Sequence, residues 1–138
     1  MTNAVLFDID GTLIDSNDAH ARAWVAALAE AGHEVPFERV RPLIGMGGDR
    51  VLPALVPGLS DETEPGKTIT KRRLEIFKER ELAALRPTNG ARGLLEAVRA
   101  RGARVVMATS AKKSELDDLL AVGGFGPLVD VASTSDDA

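Results

Sequence analysis

The sequence predicts an α/β fold, in which a parallel sheet forms the core and a helical segment is inserted after the first strand. Short strand-like segments occur near residues 5–8, 105–110 and 129–132, and the first two end abruptly in polar residues. The segments between them follow helical periodicity, and the long stretch at 16–86 contains only helical patterns. Strands that alternate with helices form parallel sheets with right-handed crossovers.

The first strand and the helix after it have clear limits in the sequence. Residues 5–7 form a short apolar run that ends on Asp8, which predicts a buried strand. A tight turn is indicated at 10–12, and helical spacing then extends over 16–31. A capping residue stands at the start of this helix, and Gly32 fits the position after its end.

The inserted segment is predicted to contain helices separated by prolines and by a glycine-rich loop. Prolines divide residues 36–57 into short pieces, and the glycines at 45–48 form a flexible loop. A longer helix is expected from about 68 to 85, where apolar residues share a broad face. Its basic residues stand three and four positions from glutamates, which predicts intrahelical ion pairs on a solvated face.

Helix and strand patterns alternate again in the last third of the chain. An amphipathic helix is expected at 91–101, with Leu94 directed inward. A second buried strand is expected at 105–108, followed by a helix that begins at Ser114 and a third strand at 129–132.

The composition excludes several classes of protein. The net charge of −4 and a pI near 5.2 argue against a nucleic-acid or membrane-surface partner. The chain has no cysteine and only two histidines, which excludes disulfides and Cys- or His-rich metal sites. No signal peptide and no apolar run of membrane-spanning length, about 18 residues, is visible. A cytoplasmic protein is therefore expected.

Two aspartates directly after the first strand are the sharpest chemical signal. Asp8 and Asp10 stand beside Gly11 and Thr12, and carboxylates there are costly to bury unless positive charge meets them. A divalent cation and a phosphate ester would use both groups. One carboxylate would attack phosphorus, while the other would protonate the leaving oxygen and then activate water. The alternative is structural, because Asp-Gly between apolar runs also signals a hairpin turn.

These motifs resemble those of a known enzyme family. Residues 5–16, Val-Leu-Phe-Asp-Ile-Asp-Gly-Thr-Leu-Ile-Asp-Ser, resemble the first motif of the haloacid dehalogenase-like (HAD) hydrolase superfamily, and Val-Val-Met-Ala-Thr-Ser at 105–110 resembles the second. The segment between them is similar to the cap of the phosphoglycolate phosphatase and β-phosphoglucomutase branch. The resemblance implies a Rossmann-like α/β core at 1–15 and 87–138, with an α-helical cap at 16–86.

The resemblance also implies roles for individual residues. Asp8 would be the nucleophile and a Mg²⁺ ligand. Asp10 would be the general acid and base, with its backbone carbonyl on the metal, and an acidic residue there favours phosphoryl transfer over carbon–halogen cleavage. Thr109 would hold a phosphoryl oxygen with help from the backbone of Ser110. The other predicted substrate-binding residues are Gly11, Thr12, Gly47, Gly48, Arg50 and His20.

Two of these expectations concern the cap, and each has a structural alternative. The glycines at 47 and 48 would let backbone amides approach a ligand while Arg50 binds an anionic group, or the loop is a plain connector. His20 belongs to a His-x-Arg-x-Trp pattern that resembles β-phosphoglucomutase-like proteins, in which the histidine helps to position the reacting groups. Alternatively, His20 packs beside a core Trp24.

The chain departs from the family pattern near its end. The family's phosphate-neutralising lysine and its late acidic strand end have no match, so the chain resembles an amino-terminal portion of a HAD hydrolase, incomplete at the C-terminus. The first strand would then be a sheet edge, which favours a homo-oligomer. Lys112 and Lys113 are expected at a solvated helix start, and Asp136 and Asp137 in a polar tail.

The predicted function is that of a Mg²⁺-dependent phosphatase acting on a small phosphorylated metabolite through an aspartyl-phosphate. A phosphosugar mutase of the β-phosphoglucomutase kind is one alternative. A catalytically inactive fragment is the other.

Overall fold

The chain forms two compact units in a computed structural model that describes residues 3–137. One unit contains the chain up to Ser16 and again from Leu85 onward, and the other is Asn17–Ala84. The division into a catalytic core and a cap stays a prediction. Residues 1, 2 and 138 of the predicted core lie outside the described residues.

The first unit contains a sheet of three parallel strands in the order β1 (Ala4–Phe7), β2 (Arg104–Ala108) and β3 (Val131–Ser133). Phe7 lies opposite Met107 in the register of β1 and β2. The predicted parallel α/β fold is therefore confirmed. Because all strands run in the same direction, their carboxyl ends meet at the same edge of the sheet.

The second unit is helical in the described residues. Its helices are α1 (Asn17–Glu30), α2 (Phe37–Val40), α3 (Gly48–Leu55) and α4 (Gly66–Ile76). Four alanines of α1 are buried and let the other helices approach closely: Ala19, Ala21, Ala23 and Ala27. The core of the unit contains fully or almost fully buried apolar side chains, among them Trp24, Leu28, Leu52, Ile69, Ile76 and Phe77.

Two helices complete the first unit, α5 (Ala91–Ala100) and α6 (Lys113–Gly123). Leu95 of α5 and Leu119 of α6 are fully buried. Short 3₁₀ turns occur at Arg41–Leu43, Leu82–Ala84, Gly126–Leu128 and Ser135–Asp137.

The prediction of a buried first strand was wrong for most of β1. Only Phe7 is buried, while Leu6 is 67% exposed and Val5 37% exposed. β1 lies at the edge of the described sheet, so it has a hydrogen-bonded neighbour on only one side. Leu94 was also predicted to point inward but is 50% exposed.

Two boundaries differ from the sequence expectation. The helix predicted at about 68–85 is α-helical only to Ile76, and Phe77–Glu81 continues it as a π-turn. The third strand begins at Val131 because Gly126–Leu128 first forms a 3₁₀ turn around a proline. Helical periodicity does not distinguish an α-helical turn from a π-turn, because both keep the apolar residues on similar faces.

Candidate active site

The candidate site lies at the carboxyl ends of two neighbouring strands. Asp8 follows β1 directly, and Thr109 follows β2 directly. Since Phe7 is opposite Met107, these two polar residues leave the sheet at nearly the same level. The structure therefore brings them to one edge although they are far apart in the sequence.

The Asp8 side chain is exposed and held on one side only. Its Oδ1 atom accepts a hydrogen bond of 2.9 Å from the backbone N–H of Ile9. No hydrogen bond or ion pair among residues 3–137 engages Oδ2. The bond to Oδ1 restricts the orientation of the carboxylate.

A tight turn carries the chain from Asp8 to Asp10. Backbone N–H groups of Thr12, Leu13 and Ile14 all donate to the carbonyl of Ile9, at 2.9–3.1 Å. Gly11 has a φ of 76°, a left-handed conformation that strains other residues. The bridge between Asp10 and Ile14 in this turn is parallel, whereas a hairpin pairs antiparallel strands. The segment is therefore not the hairpin turn that was the structural alternative.

The second aspartate is oriented by a residue that the sequence analysis did not assign to the site. The hydroxyl of Ser16 donates to Oδ1 of Asp10 at 2.5 Å, and Ser16 is fully buried. Asp10 itself is half-buried. A serine six residues after an aspartate gives no periodic signal, because only the turn at 9–14 brings the two side chains together.

The loop after β2 presents a polar group at the same edge. Thr109 donates its backbone N–H to the carbonyl of Ser133 at 3.1 Å, and its Oγ1 accepts from the N–H of Ala111 at 3.1 Å. The hydroxyl proton of Thr109 remains available for a ligand oxygen. Ser110 is exposed beside it.

The end of β3 is more ordered than the predicted polar tail. Asp136 accepts from the backbone N–H of Lys113 at 2.9 Å, and Asp137 accepts from that of Thr134 at 2.8 Å. The tail expectation was therefore wrong for both aspartates, which bind the start of α6 and their own turn. Lys112 is exposed and precedes α6, as predicted.

The remaining predicted ligand residues lie in the second unit. Gly47 precedes α3, Gly48 begins it, and Arg50 is exposed in its first turn. A β-carbon on Gly48 would lie 3.4 Å from the ring of Trp24, so this glycine allows the loop to approach the tryptophan. No hydrogen bond or ion pair engages the guanidinium of Arg50 within residues 3–137.

His20 is buried in the second unit, with its ring stacked on Phe77 at a centroid distance of 4.2 Å. The aromatic partner is therefore Phe77 rather than Trp24, whose ring is covered by the guanidinium of Arg73 at 5.2 Å. This stacking matches a packing role for His20.

Ion pairs join α1 to α4 and to the π-turn at Phe77–Glu81. Arg22 contacts Glu81 at 2.8 Å, and Arg72 contacts Glu30 at 2.7 Å and Glu75 at 3.3 Å. Hydrogen bonding to Glu81 raises the pKa of Arg22, and the bond from Arg72 lowers the pKa of Glu30. The pair of Arg72 with Glu75 lies within α4 and was predicted. The pairs that join different elements could not be read from the sequence.

The acidic residues supply hard oxygen donors but no complete metal site. Proteins bind Mg²⁺ through one or two carboxylates together with water and substrate phosphate. The side chain of Asp8 is a carboxylate of this kind. Within residues 3–137 no group of three or more His, Cys, Asp or Glu side chains is placed to hold a metal ion. The carboxylate oxygens of Asp8 are of the chemical type that Mg²⁺ prefers.

Comparison with known proteins identifies the family. The sequence profile of the haloacid dehalogenase-like hydrolases matches residues 2–138. With a parallel α/β sheet and an aspartate at the end of its first strand, the chain belongs to this family of hydrolases.

Individual relatives share the sequence at a lower level. The chain is 31% identical over 112 residues to the phosphoglycolate phosphatase of Nitrosospira multiformis, covering 78% of this chain and 49% of that protein. It is 30% identical to the chloroplastic protein SUPPRESSOR OF QUENCHING 1 of Arabidopsis thaliana, covering 99% of this chain and 13% of that protein. The chain thus spans half or less of these two relatives.

A solved structure shows the same fold. A hydrolase from Pseudomonas syringae superposes with a TM-score of 0.88 at 24% identity, over 100% of this chain and 62% of the other. None of the helices in the described part of the chain is long and apolar enough to cross a membrane.

Proposed function

We propose that this chain carries the phosphoryl-transfer site of a phosphatase that hydrolyses a small phosphate monoester through an aspartyl-phosphate on Asp8. The observation that carries the proposal is the convergence of Asp8 and Thr109 at the carboxyl ends of paired strands. The match to HAD-like hydrolases and the similarity to a phosphoglycolate phosphatase support it.

The first step is attack of Asp8 Oδ2 on phosphorus, which forms the aspartyl-phosphate and breaks the bond to the alcohol oxygen. Asp10 gives that oxygen a proton, and the alcohol leaves. Asp10 then takes a proton from water, which attacks phosphorus, releases inorganic phosphate and restores the Asp8 carboxylate. The Thr109 hydroxyl donates to a phosphoryl oxygen in both steps, with the backbone of Ser110 beside it, while Gly11 and Thr12 form the loop above the phosphate.

A divalent cation, proposed to be Mg²⁺, would be held by the Asp8 carboxylate and the Asp10 carbonyl. When bound, it would neutralise charge between the carboxylates and the phosphate. Asp8 and a phosphate dianion otherwise repel each other at close range. We expect activity to require Mg²⁺ and to be lost when the metal is removed with EDTA.

The second unit, Asn17–Ala84, which lies within the cap predicted at 16–86, is proposed to act as the cap. Its candidate ligand groups are the exposed guanidinium of Arg50 and the backbone at Gly47 and Gly48. His20 is retained as a candidate substrate-binding residue, although its stacking on Phe77 supports packing.

The proposed setting is the cytoplasm, without a nucleic-acid or membrane partner, which the absence of cysteine and the net charge of −4 support. Self-association through the β1 edge is proposed because Leu6 is 67% exposed there. Light scattering would test this: Leu6→Lys is expected to give a monomer, and an unchanged mass would contradict self-association.

The direct test of function is phosphate release from p-nitrophenyl phosphate with Mg²⁺. We expect Asp8→Asn, a nearly isosteric change, to lower kcat by at least about a thousandfold, because it removes the nucleophile. The matched control is Asp117→Asn on the exposed face of α6, which should keep full activity. The unaltered chain and the two variants should have the same circular dichroism spectrum.

The products distinguish the alternatives. Free phosphate that depends on Asp8 supports the phosphatase, whereas isomerisation of a hexose 1-phosphate without phosphate release would support a mutase. Full activity in Asp8→Asn would overturn the assignment, and absence of turnover in every protein would support the inactive fragment.

A further inference from the structure

The loop after β2, which carries Thr109, is held by the turn at the end of β3. The backbone N–H of Thr109 donates to the Ser133 carbonyl at 3.1 Å. In return, the N–H of Ser135 donates to the Ala111 carbonyl at 2.9 Å. Ala111 is buried, and its own N–H donates to Oγ1 of Thr109 at 3.1 Å. The 3₁₀ turn at Ser135–Asp137 is therefore connected to the Thr109 hydroxyl through Ala111.

Asp136 joins the same turn to the start of α6. Its Oδ2 atom accepts a hydrogen bond of 2.9 Å from the backbone N–H of Lys113, the first residue of α6. Lys112 stands at the N-cap and makes no side-chain capping bond, because an ammonium group cannot accept from a backbone N–H. Asp136, 23 residues further along the chain, thus supplies the carboxylate that caps this positive helix end.

Two neighbouring aspartates make different contacts. Asp137 accepts from the N–H of Thr134 at 2.8 Å, and this bond stays inside the turn. Asp117 of α6 lies 3.5 Å from Nζ of Lys113, so it contacts the side chain of that lysine and not its backbone N–H. Of these three carboxylates, that of Asp136 joins the turn to the backbone at the start of α6.

We propose that Asp136 is a positioning residue for the Thr109 hydroxyl. By holding the N–H of Lys113, it fixes the short segment in which the N–H of Ala111 contacts Thr109. Since the Thr109 oxygen accepts from Ala111, the hydroxyl proton is directed away from that N–H and is available to a phosphoryl oxygen. This inference rests on the proposed phosphatase function, in which Thr109 donates to the phosphoryl group.

The local effect can be measured without a substrate, by amide hydrogen exchange of the ¹⁵N-labelled chain. Asp136→Ala should speed exchange at Lys113 and Ala111 about tenfold, as expected for the loss of a hydrogen bond to a charged group. Asp136→Asn keeps an acceptor oxygen and should stay within about threefold of the unaltered chain. The matched control Asp117→Ala should change neither amide. Unchanged exchange at Ala111 in Asp136→Ala would overturn the inference.

A double-mutant cycle with Thr109→Val separates positioning from a general structural effect. If Asp136 acts through the Thr109 hydroxyl, Asp136→Ala should lower kcat/KM for p-nitrophenyl phosphate about tenfold in the unaltered chain and less than about twofold in Thr109→Val. Asp136→Asn should restore most of kcat/KM, and Asp117→Ala should keep all of it. Equal losses in the two backgrounds would show a merely structural role and would overturn the inference.

The outcomes separate this inference from the proposed function. The same cycle can be read from the Kd of inorganic phosphate, followed by NMR at the Thr109 and Ser110 amides. If that Kd depends on Asp136 only while the Thr109 hydroxyl is present, but no phosphate ester is hydrolysed, the phosphatase proposal fails and the positioning role stands. If phosphate is released and the losses are equal in both backgrounds, the function stands and the positioning role fails. Absence of phosphate binding to the unaltered chain overturns both.

Discussion

Ser16 holds the Asp10 side chain through a hydrogen bond. Its buried hydroxyl donates to the Asp10 carboxylate at 2.5 Å and lies 3.4 Å from the Ile14 carbonyl. We expect Ser16→Ala to destabilise the chain by about 1 kcal/mol. It should also lower kcat about fivefold with little change in KM, since about 1 kcal/mol of positioning is lost in the transition state.

Ser16→Thr is the matched control, because it keeps the hydroxyl. It should restore most of kcat, and steady-state kinetics together with urea unfolding would measure both effects. Equal kcat values in the alanine and threonine variants would show that the hydrogen bond does not position Asp10.

The start of α4 depends on a glycine that has no room for a side chain. A β-carbon on Gly66 would collide with the backbone carbonyl of Ser60, which cannot move aside cheaply. We therefore expect Gly66→Ala to destabilise the second unit by about 1–3 kcal/mol, as measured by thermal unfolding.

Gly93, in the first turn of α5, is the matched control for that substitution. A β-carbon there has nothing within 4 Å, so Gly93→Ala should stabilise the chain by about 0.5–1 kcal/mol through better helix propensity. A Gly66→Ala protein as stable as Gly93→Ala would contradict the close contact between Gly66 and Ser60.

The strand β2 is anchored at its beginning by an acidic side chain. Asp130 accepts from the Val105 N–H at 2.7 Å and from Arg99 at 2.8 Å. These bonds, the backbone one first, lower the pKa of Asp130 below its usual 3.8. A carboxyl group whose pKa is lower in the folded than in the unfolded protein adds stability. This stability is fully present above the pKa of the unfolded state and is lost as the pH falls through the pKa of the folded state.

We therefore expect the free energy of unfolding to decrease below about pH 4 in part through Asp130. In Asp130→Asn this contribution should be missing, so the difference between the two proteins should shrink as the pH falls. Urea unfolding between pH 3 and 7 would measure it. A difference that does not change with pH would show that the charge of Asp130 is irrelevant.

Elements with strong local patterns were predictable, while their surroundings were not. The limits of α1 and α5 follow from apolar spacing and terminal glycines, and they agree with the structure to within one residue. The exposure of Leu6 depends on which strands lie beside β1, and that information is not local. Likewise Asp8 and Thr109 could be predicted as site residues from their motifs. The hydrogen bond between Ser16 and Asp10 could not, because only the folded turn brings these two side chains together.

For the whole molecule, the division into two compact units predicts two cooperative units of unfolding. Each unit has its own buried apolar core, and amide exchange follows such units. Gly66→Ala should therefore speed exchange across 17–84 more than across 85–137. Hydrogen-exchange mass spectrometry would measure this, and equal acceleration in both segments would indicate a single cooperative unit.

A covalent phosphoryl intermediate on Asp8, as proposed above, can be detected by chemical trapping. The 138-residue chain would be mixed with a phosphate monoester and millimolar Mg²⁺, then treated with borohydride, which reduces an aspartyl-phosphate to homoserine. Peptide mass spectrometry would locate the product, and Asp8→Asn is the control. We expect homoserine at position 8 of the unaltered chain and nowhere in the variant. Phosphate release with Asp8 left unmodified, or homoserine at another aspartate, would contradict it.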